Sequence, residues 1–309
     1  MLPPEPPRRP QMGFVYVPPF RVQGISIAGE ATTIQIPELG VTFDIGDTPK
    51  AVLTSDFVAL SHGHMDHAAG LAYYFSQRHF QGLKPGTVVC HPLLEGPIRK
   101  VMQAWIDIEN QRTPFNIVPL EPEQELEIKN NLYLRAFKTV HTESSLGYVV
   151  IEKRSKLLPQ LVGLPQEKIL ELKKKGEPIT QTIEVPQVCF TGDTAWGVHF
   201  EREDILNAKV LITECTFLEP GHRPRASVGK HLHLDDVVRI CRRSKAEAII
   251  LTHLSRRTHM KEARKQINLA LKDCGIERVH VLMDSRTNRA RYQAQQEEAA
   301  KQSAGQEAG

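Results

Sequence analysis

The sequence predicts an α/β protein in which buried strands alternate with helices. Short apolar runs typical of buried strands recur at 57–60, 88–90, 187–190, 210–213 and 249–251. Helices are predicted at 202–208 and 234–243, between the later runs, and at 259–273, after the last of them. The chain has 309 residues, enough to bury one large α/β core or two smaller ones.

The remaining elements follow in chain order. Residues 1–20 are rich in proline and are expected to be flexible. Strands are predicted at 24–29, 31–36, 41–45, 116–120, 125–129, 132–138 and 147–152, and a helix at 93–110. Residues 153–180 are Lys-rich and should form an insertion that projects from the core. The Gln/Glu/Ala/Lys-rich tail, 293–309, is expected to be disordered, which leaves 21–292 as the folded domain.

Whole-chain composition argues against several classes of protein. The formal net charge is only +3, so any nucleic-acid-binding surface must be local. The five cysteines are scattered and never form a Cys-x-x-Cys pair, which argues against a disulfide framework and favours a reducing compartment. No apolar run approaches the roughly 18 residues of a membrane span. We therefore expect a cytoplasmic protein that does not bind membranes.

The most informative stretch is 61–67, Ser-His-Gly-His-Met-Asp-His, directly after the apolar run 57–60. It puts His62, His64, Asp66 and His67 on a loop that leaves the C-terminal end of a buried strand. Imidazole nitrogens and carboxylate oxygens are zinc ligands, and clustered polar side chains are costly to bury without partners. The alternative is a solvated His-rich loop or an adventitious metal site.

Three later strands also end in residues of metal-ligating type. These residues are His141, Asp193 and His253. A lone histidine at a strand end is more often a surface or hydrogen-bonded residue, but the same pattern at four strand ends favours one shared site.

The order of these residues resembles that of the metallo-β-lactamase superfamily over nearly the whole chain. This resemblance implies an αββα sandwich of two mixed sheets with helices outside, and two divalent metal ions at one edge. One ion would be bound by His62, His64, His141 and a bridging Asp193, and the other by Asp66, His67, His253 and the same Asp193. Asp44 would support the ligand loops. Zn²⁺ is the expected ion, although such donors also accept Mn²⁺ or Fe²⁺.

Other stretches resemble the tRNase Z family, in particular its short plant enzymes. Glu214-Cys215-Thr216-Phe217 resembles a Glu-Ala-Thr-Phe segment, and His231 stands at the matching distance before His253. This resemblance implies an endoribonuclease that removes the 3′ trailer from precursor tRNA and leaves a 3′-hydroxyl. It also implies a homodimer, and it places a tRNA-gripping arm at 153–180.

The expected mechanism is attack on phosphorus by a hydroxide that two metal ions make available near neutral pH. Asp66 would accept a proton, His231 would protonate the leaving oxygen, and Glu214 would orient His231. His233 is an alternative donor if its role is not structural.

Two basic stretches are candidate RNA-binding surfaces, since lysine and arginine can hold phosphates at a distance from the cut. Solvated helix faces are the alternative explanation. The candidates are Lys153, Arg154, Lys156, Lys173, Lys174, Lys175, Arg256 and Arg257.

Two other functions remain open. The first is a small-molecule hydrolase of the same fold, acting on a thioester or a simple phosphodiester; the projecting arm and His231 argue against it. The second is a non-catalytic RNA-binding or scaffold protein, and the complete ligand set argues against that.

Overall fold

Two seven-stranded sheets face one another in the structure, a computed structural model that describes residues 12–307. The first sheet contains, in order, β1 (Gly13–Val17), β2 (Phe20–Ile27), β3 (Ala31–Ile36), β4 (Val41–Phe43), β5 (Phe57–Ala59), β6 (Thr87–Cys90) and β7 (Asn116–Pro119). The second contains β8 (Glu125–Lys129), β9 (Leu132–Lys138), β10 (Leu146–Leu157), β11 (Thr180–Phe190), β12 (Val210–Glu214), β13 (Ala248–Thr252) and β14 (Val279–Val281).

Both sheets begin with antiparallel strands and end with parallel ones. In the first sheet β1 to β4 pair antiparallel and β4 to β7 pair parallel. In the second, β8 to β11 pair antiparallel and β11 to β14 pair parallel. The carboxyl ends of neighbouring parallel strands lie at the same edge of a sheet. The loops that follow β4, β5, β11, β12 and β13 can therefore meet at one edge of the sandwich.

The described residues form nine α-helices, several of which cover the outer faces of the two sheets. They are α1 (Met65–Ala68), α2 (Leu71–Phe80), α3 (Pro92–Glu109), α4 (Gln166–Lys174), α5 (Glu203–Leu206), α6 (Arg223–Gly229), α7 (Leu234–Arg243), α8 (Met260–Leu271) and α9 (Ser285–Glu307). Side chains of α2 and α3 close one outer core, and side chains of α5, α7 and α8 close the other. Between the sheets lies a third core, in which the rings of Phe43 and Phe190 stack at 5.0 Å. The αββα sandwich expected from the sequence is confirmed.

The insertion forms an arm built on extensions of β10 and β11. The two strands pair continuously from Tyr148↔Phe190 to Leu157↔Thr180, and α4 lies at the far end with no buried residue. Nine residue steps of about 3.4 Å separate these two pairs, so the paired strands of the arm end about 30 Å from the edge where β11 ends. The arm therefore points away from that edge.

The ends of the described chain are more regular than the sequence predicted. β1 lies within 1–20, where flexibility was expected, and residues 1–11 lie outside the described residues. The segment 293–307, expected to be disordered, continues α9, and 308–309 lie outside the described residues. Ala, Gln, Glu and Lys are good helix formers, and Tyr292 anchors α9 by packing edge-on against Phe14 of β1. None of the helices within 12–307 has the length and apolarity needed to cross a membrane.

Candidate metal centre

The predicted metal ligands converge from four strand ends. The loop 60–64 after β5 and the short α1 carry the first four, and His141, Asp193 and His253 follow β9, β11 and β13. The backbone needed to bring them together is locally constrained. A Cβ on Gly46 would lie 1.9 Å from the carbonyl oxygen of Asp66, and His253 has a left-handed φ of 58°. Only a site held by the surrounding fold keeps such conformations.

The first cluster consists of His62, His64 and His141. Nε2 of His62 lies 2.9 Å from Nδ1 of His64, and Nε2 of His141 lies 3.3 Å from the same atom. His62 is fully buried whereas His64 is exposed. Three ring nitrogens therefore face a common point at the surface of the sandwich.

The second cluster consists of Asp66, His67 and His253. Oδ2 of Asp66 lies 3.6 Å from Nε2 of His67 and 3.5 Å from Nε2 of His253. Asp193 adjoins both clusters: its Oδ2 is 3.3 Å from each of these two nitrogens, and it also groups with His62. The structure thus brings together all seven predicted ligands, with Asp193 between the two clusters.

Nδ1 of His67 and Nδ1 of His62 are each held by a hydrogen bond on the side away from the cluster, so that Nε2 of each ring faces the cluster. Nδ1 of His67 donates to Oδ2 of Asp44 at 2.7 Å. The same carboxylate accepts from the amide of Ser61 at 2.6 Å and from its hydroxyl at 2.8 Å. Because that hydroxyl donates to Asp44, it accepts from Nδ1 of His62 at 3.0 Å. Asp44 therefore lies where the sequence predicted, behind the ligand loop.

Two more histidines are oriented in the same way. Nδ1 of His141 donates to the carbonyl oxygen of Lys230 at 3.1 Å. Nδ1 of His253 lies 2.9 Å from the hydroxyl of Thr216, which donates to Oε2 of Glu214 at 2.6 Å. The Thr216 hydroxyl therefore accepts from His253. Such outer contacts fix the tautomer and ring orientation of metal-binding histidines.

The inner nitrogens fit a divalent metal ion. Nε2 of His67 and Nε2 of His253 are buried and have no hydrogen-bond partner among the described residues. A buried polar atom without a partner costs free energy, which a ligand to these lone pairs would recover. Imidazole and carboxylate donors without thiolates suit zinc and other divalent transition metals.

The charges of the cluster also favour a cation. Burial lowers the pKa of His62 to about 2, so its imidazole is neutral and available as a ligand. Burial opposes protonation of His67 as well, but the charges of Asp193 and Asp44 outweigh it and raise the pKa of His67 well above its ordinary value. A positive charge is therefore stabilised between Asp44 and Asp193, and a metal ion can supply that charge in place of a proton.

Glu214 and His231 form a pair beside the cluster. Oε1 of Glu214 accepts from Nδ1 of His231 at 3.0 Å, and Nδ1 of His231 is 3.9 Å from Oδ2 of Asp193. Burial alone would lower the pKa of His231, but the charge of Glu214 and its hydrogen bond raise it to about 9. His233 has different contacts: it caps α7 by accepting from the amide of Asp235 at 3.2 Å and is buried. Of the two histidines, only His231 reaches the cluster.

Several residues of the site were not singled out by the sequence. Thr216 links Glu214 to His253 as described, and the amide of Thr194 donates to Oε1 of Glu214 at 2.6 Å. The amide of Gly29, at the β2–β3 turn, donates to Oδ2 of Asp66 at 2.9 Å. Thr194 directly follows the predicted ligand Asp193, and Thr216 lies in the 214–217 segment that resembles the tRNase Z family, but neither was given a role. Gly29 is 37 positions from Asp66, so nothing local pointed to it.

Some of the predicted RNA-binding residues have acidic partners, whereas the others are exposed without one among the described residues. Lys153 and Arg154 are paired with Glu125 and Glu152, at 2.6 Å and 2.7 Å. Lys175, which directly follows α4, pairs with Glu171 of that helix, and Arg256 pairs with Glu30. The others, Lys156, Lys173, Lys174 and Arg257, are exposed without a carboxylate partner among the described residues.

Comparison with known proteins was decisive for the family. The Beta-lactamase superfamily domain matches residues 45–254, a range that contains all seven candidate ligands. The chain is 34% identical over 252 residues to tRNase Z TRZ1 of Arabidopsis thaliana, covering 81% of this chain and 90% of the relative. The chain belongs to the tRNase Z family.

Solved structures of other proteins have the same fold as this tRNase Z family member. The metallo-β-lactamase fold protein YhfI from Bacillus subtilis superposes with a TM-score of 0.58 at 16% identity, covering 87% of this chain and 95% of YhfI. Human tRNase Z, short form, superposes with a TM-score of 0.55 at 16% identity, covering 84% and 95%. At these identities the likeness supports the fold, whereas the family rests on the sequence relatives.

Proposed function

We propose that this protein is a metal-dependent endoribonuclease that removes the 3′ trailer from precursor tRNA and leaves a 3′-hydroxyl. The relatives named tRNase Z support this substrate. The observation that carries the chemistry is the Glu214–His231 pair at 3.0 Å, next to a cluster of histidines and aspartates suited to metal ions. A proton donor beside a metal centre is suited to cleavage of a phosphodiester with a poor leaving group.

The cluster would hold two divalent ions, Zn²⁺ by its donor set. One would be held by His62, His64, His141 and Asp193, and the other by Asp66, His67, His253 and Asp193. When bound, such ions supply Lewis-acid polarisation of the phosphoryl oxygens and a more acidic water.

The chain's own side chains would move the protons of the reaction. As water attacks phosphorus, Asp66 accepts a proton; its Oδ2 is held by the amide of Gly29 at 2.9 Å, and its side chain is 15% exposed. As the bond between phosphorus and the 3′-oxygen breaks, His231 donates a proton to that oxygen. Glu214 fixes the ring of His231, and its negative charge favours the protonated form.

RNA outside the scissile bond would be held by the arm. Lys156, Lys173 and Lys174 are exposed on it and free of acidic partners among the described residues. Because the paired strands of the arm end about 30 Å from the edge that carries the site, the far part of the arm would contact the body of the tRNA rather than the cut. Electrostatic contacts of this kind weaken as salt increases.

We also propose a homodimer, in which the arm of one chain serves the site of the other. The face formed by α2 and α3 supports it, since Tyr73 is 55% exposed, Trp105 47% and Ile108 71%. Tyr73 and Trp105 line a groove of about 260 Å³ on this face. Exposed apolar patches of this kind commonly mark protein contacts. Light scattering should give twice the chain mass for the wild type and the single-chain mass for Trp105→Glu; a monomeric wild type would refute the dimer.

The compartment we propose is the cytoplasm. All five cysteines are free and buried, as is usual for proteins of reducing compartments. Fractionation of cells that produce the tagged full chain would test this, and recovery in an organelle would contradict it.

The proposed function is tested with purified, zinc-loaded protein and a 3′-extended precursor tRNA. We expect one cut at the 3′ end of the tRNA body, a 3′-hydroxyl on the tRNA, a 5′-phosphate on the trailer, and loss of cutting in Asp66→Ala. Zinc-loaded protein that ignores the RNA but hydrolyses bis(4-nitrophenyl) phosphate or a thioester would refute the substrate and leave the fold intact.

A further inference from the structure

The segment between β12 and α7 forms a rim beside the candidate metal centre. It contains the helix α6, which ends at Lys230 in a left-handed conformation (φ 54°). The carbonyl oxygen of Lys230 accepts from Nδ1 of His141 at 3.1 Å, and His231 follows at once. The position of α6 relative to the cluster is therefore fixed by backbone contacts at its C-terminal end.

Phe217 lies near the start of this rim, and its ring is next to the ring of His231. The two ring centroids are 6.2 Å apart and the rings are tilted by 60°. The backbone of Phe217 is held by a bridge to His233 and by its carbonyl, which accepts from the amide of Leu234 at 2.9 Å. Phe217 is half-buried, so its position is fixed by the backbone contacts while part of the residue remains accessible to a ligand.

Arg225 of α6 lies over that ring. Its guanidinium carbon is 5.5 Å from the centroid of Phe217, and its side chain is exposed. Arg225 has no carboxylate partner among the described residues, whereas Arg223, on the same helix, is held by Asp236 at 2.9 Å and 3.0 Å. Arg223 thus fastens α6 to α7, and Arg225 remains available to a ligand.

The chemistry of this pair suits a nucleobase. A guanidinium lying on an aromatic ring presents its outer plane to solvent, and such planes and rings stack on the bases of single-stranded RNA. The positive charge also attracts the phosphate backbone. A polyanion suits this surface, since the exposed charged residues of the rim next to Phe217 are Arg225 and Lys230 against Glu219, with Arg223 already paired to Asp236.

We infer that Phe217 and Arg225 form a stacking platform for one base of the RNA, that of the nucleotide on the 5′ side of the cut. The inference rests on the proposed function, in which His231 contacts the 3′-oxygen of that nucleotide. The ring of Phe217 is adjacent to that of His231, so the base of the same nucleotide can reach the platform. Because every base has a stacking face, the platform binds without regard to sequence.

The test uses full-length, zinc-loaded protein and steady-state cleavage of a 3′-extended precursor tRNA. Arg225→Ala should raise KM about tenfold, the usual effect of losing one stacking contact, with a smaller change in kcat. Arg225→Lys should recover little of the loss, because it restores the charge but not the plane. Phe217→Leu should resemble Arg225→Ala. Arg242→Ala, at an exposed position about 12 Å along α7 from its first residue, is the charge-matched control and should keep the wild-type KM.

Two outcomes overturn the platform. In one, Arg225→Ala behaves like Arg242→Ala; in the other, Arg225→Lys restores the wild-type KM, so that charge alone is needed. A substrate abasic on the 5′ side of the cut adds a second measurement. It should raise the wild-type KM but add nothing to the effect of Arg225→Ala, and additive losses would contradict the inference.

Failure of the proposed function can be distinguished from failure of the platform. Wild-type protein that hydrolyses bis(4-nitrophenyl) phosphate but cuts no RNA refutes the proposed function alone. The platform is then judged by the Kd of a short single-stranded RNA, measured by fluorescence anisotropy with the same variants. A Kd about tenfold weaker in Arg225→Ala than in Arg242→Ala supports it, and equal values overturn it.

Discussion

Thr216→Val tests whether Glu214 has two roles: to orient His231, and to orient the metal ligand His253 through the hydroxyl of Thr216. The hydroxyl of Thr216 is the only described partner of Nδ1 of His253, at 2.9 Å, and it donates to Oε2 of Glu214 at 2.6 Å. Valine fills nearly the same volume but removes both contacts. Oε2 keeps only the amide of Leu232, at 3.2 Å, and Nδ1 of His253 is left buried without a partner.

An unsatisfied buried polar group costs about 1–3 kcal/mol. If that cost falls on the metal-bound state, zinc affinity should drop by about 5- to 150-fold, which brackets the roughly 10- to 100-fold loss typical when a contact behind a metal ligand is removed. Competition with a chromophoric chelator measures this affinity without any substrate. Thr216→Ser, which keeps the hydroxyl, should remain within about threefold of the wild type.

A second control comes from elsewhere in the chain. Thr113 is also a buried threonine, but its hydroxyl has no described partner, so Thr113→Val should leave zinc affinity unchanged. Wild-type zinc affinity in Thr216→Val would refute the reasoning, because it would mean that the outer contact of His253 does not orient its inner nitrogen.

Three further predictions follow from contacts elsewhere. Asp44→Asn removes the charge that holds Nδ1 of His67 at 2.7 Å, so bound zinc per chain, measured by plasma mass spectrometry, should fall; full zinc content would contradict this. Burial raises the pKa of Asp204, but its arginine partners lower it overall, so its contribution to stability is present above about pH 4 and lost as pH falls further. Asp204→Asn should therefore lower Tm by several degrees at pH 7 and by less near pH 3, while Glu203→Gln changes neither; a constant deficit at both pH values would contradict this. Replacing 155–178 with a short turn should weaken precursor tRNA binding and flatten its salt dependence by about 0.9 per lost phosphate contact, and an unchanged slope would contradict the role of the arm.

The candidate metal centre was largely predictable because its signals are local. Four ligands lie within residues 62–67, and each of the others follows directly after an apolar strand. The fixed geometry of parallel strand ends then brings them to one edge. The resemblance to a known family supplied the pairing into two clusters, which composition alone could not.

Residues whose role depends on distant partners were missed. The amide of Gly29 reaches Asp66, and the carbonyl of Lys230 reaches His141, from other parts of the chain. Neither contact involves the side chain of the residue that makes it, so residue type gave no signal. Only the folded backbone reveals such positions.

The basic residues show the opposite difficulty. Lys153 was a candidate for phosphate binding because of its charge, but its pairing with Glu125 at 2.6 Å comes from a strand two positions away in the sheet. Lys156 lies three residues further along the same strand. It is exposed and has no carboxylate partner among the described residues. The sequence shows which side chains are charged. Which of them are paired with an opposite charge depends on how the strands align in the sheet.

The most direct test of the central claim compares two substrates with His231→Ala, in zinc-loaded protein with wild-type metal content. A 3′-oxygen of RNA leaves poorly without a proton, whereas 4-nitrophenolate leaves readily without one. The account predicts that His231→Ala lowers kcat for precursor tRNA about 100-fold or more and lowers kcat for bis(4-nitrophenyl) phosphate far less. An equal loss on both substrates would contradict it, because His231 would then serve the metal centre in general rather than the leaving oxygen of the RNA.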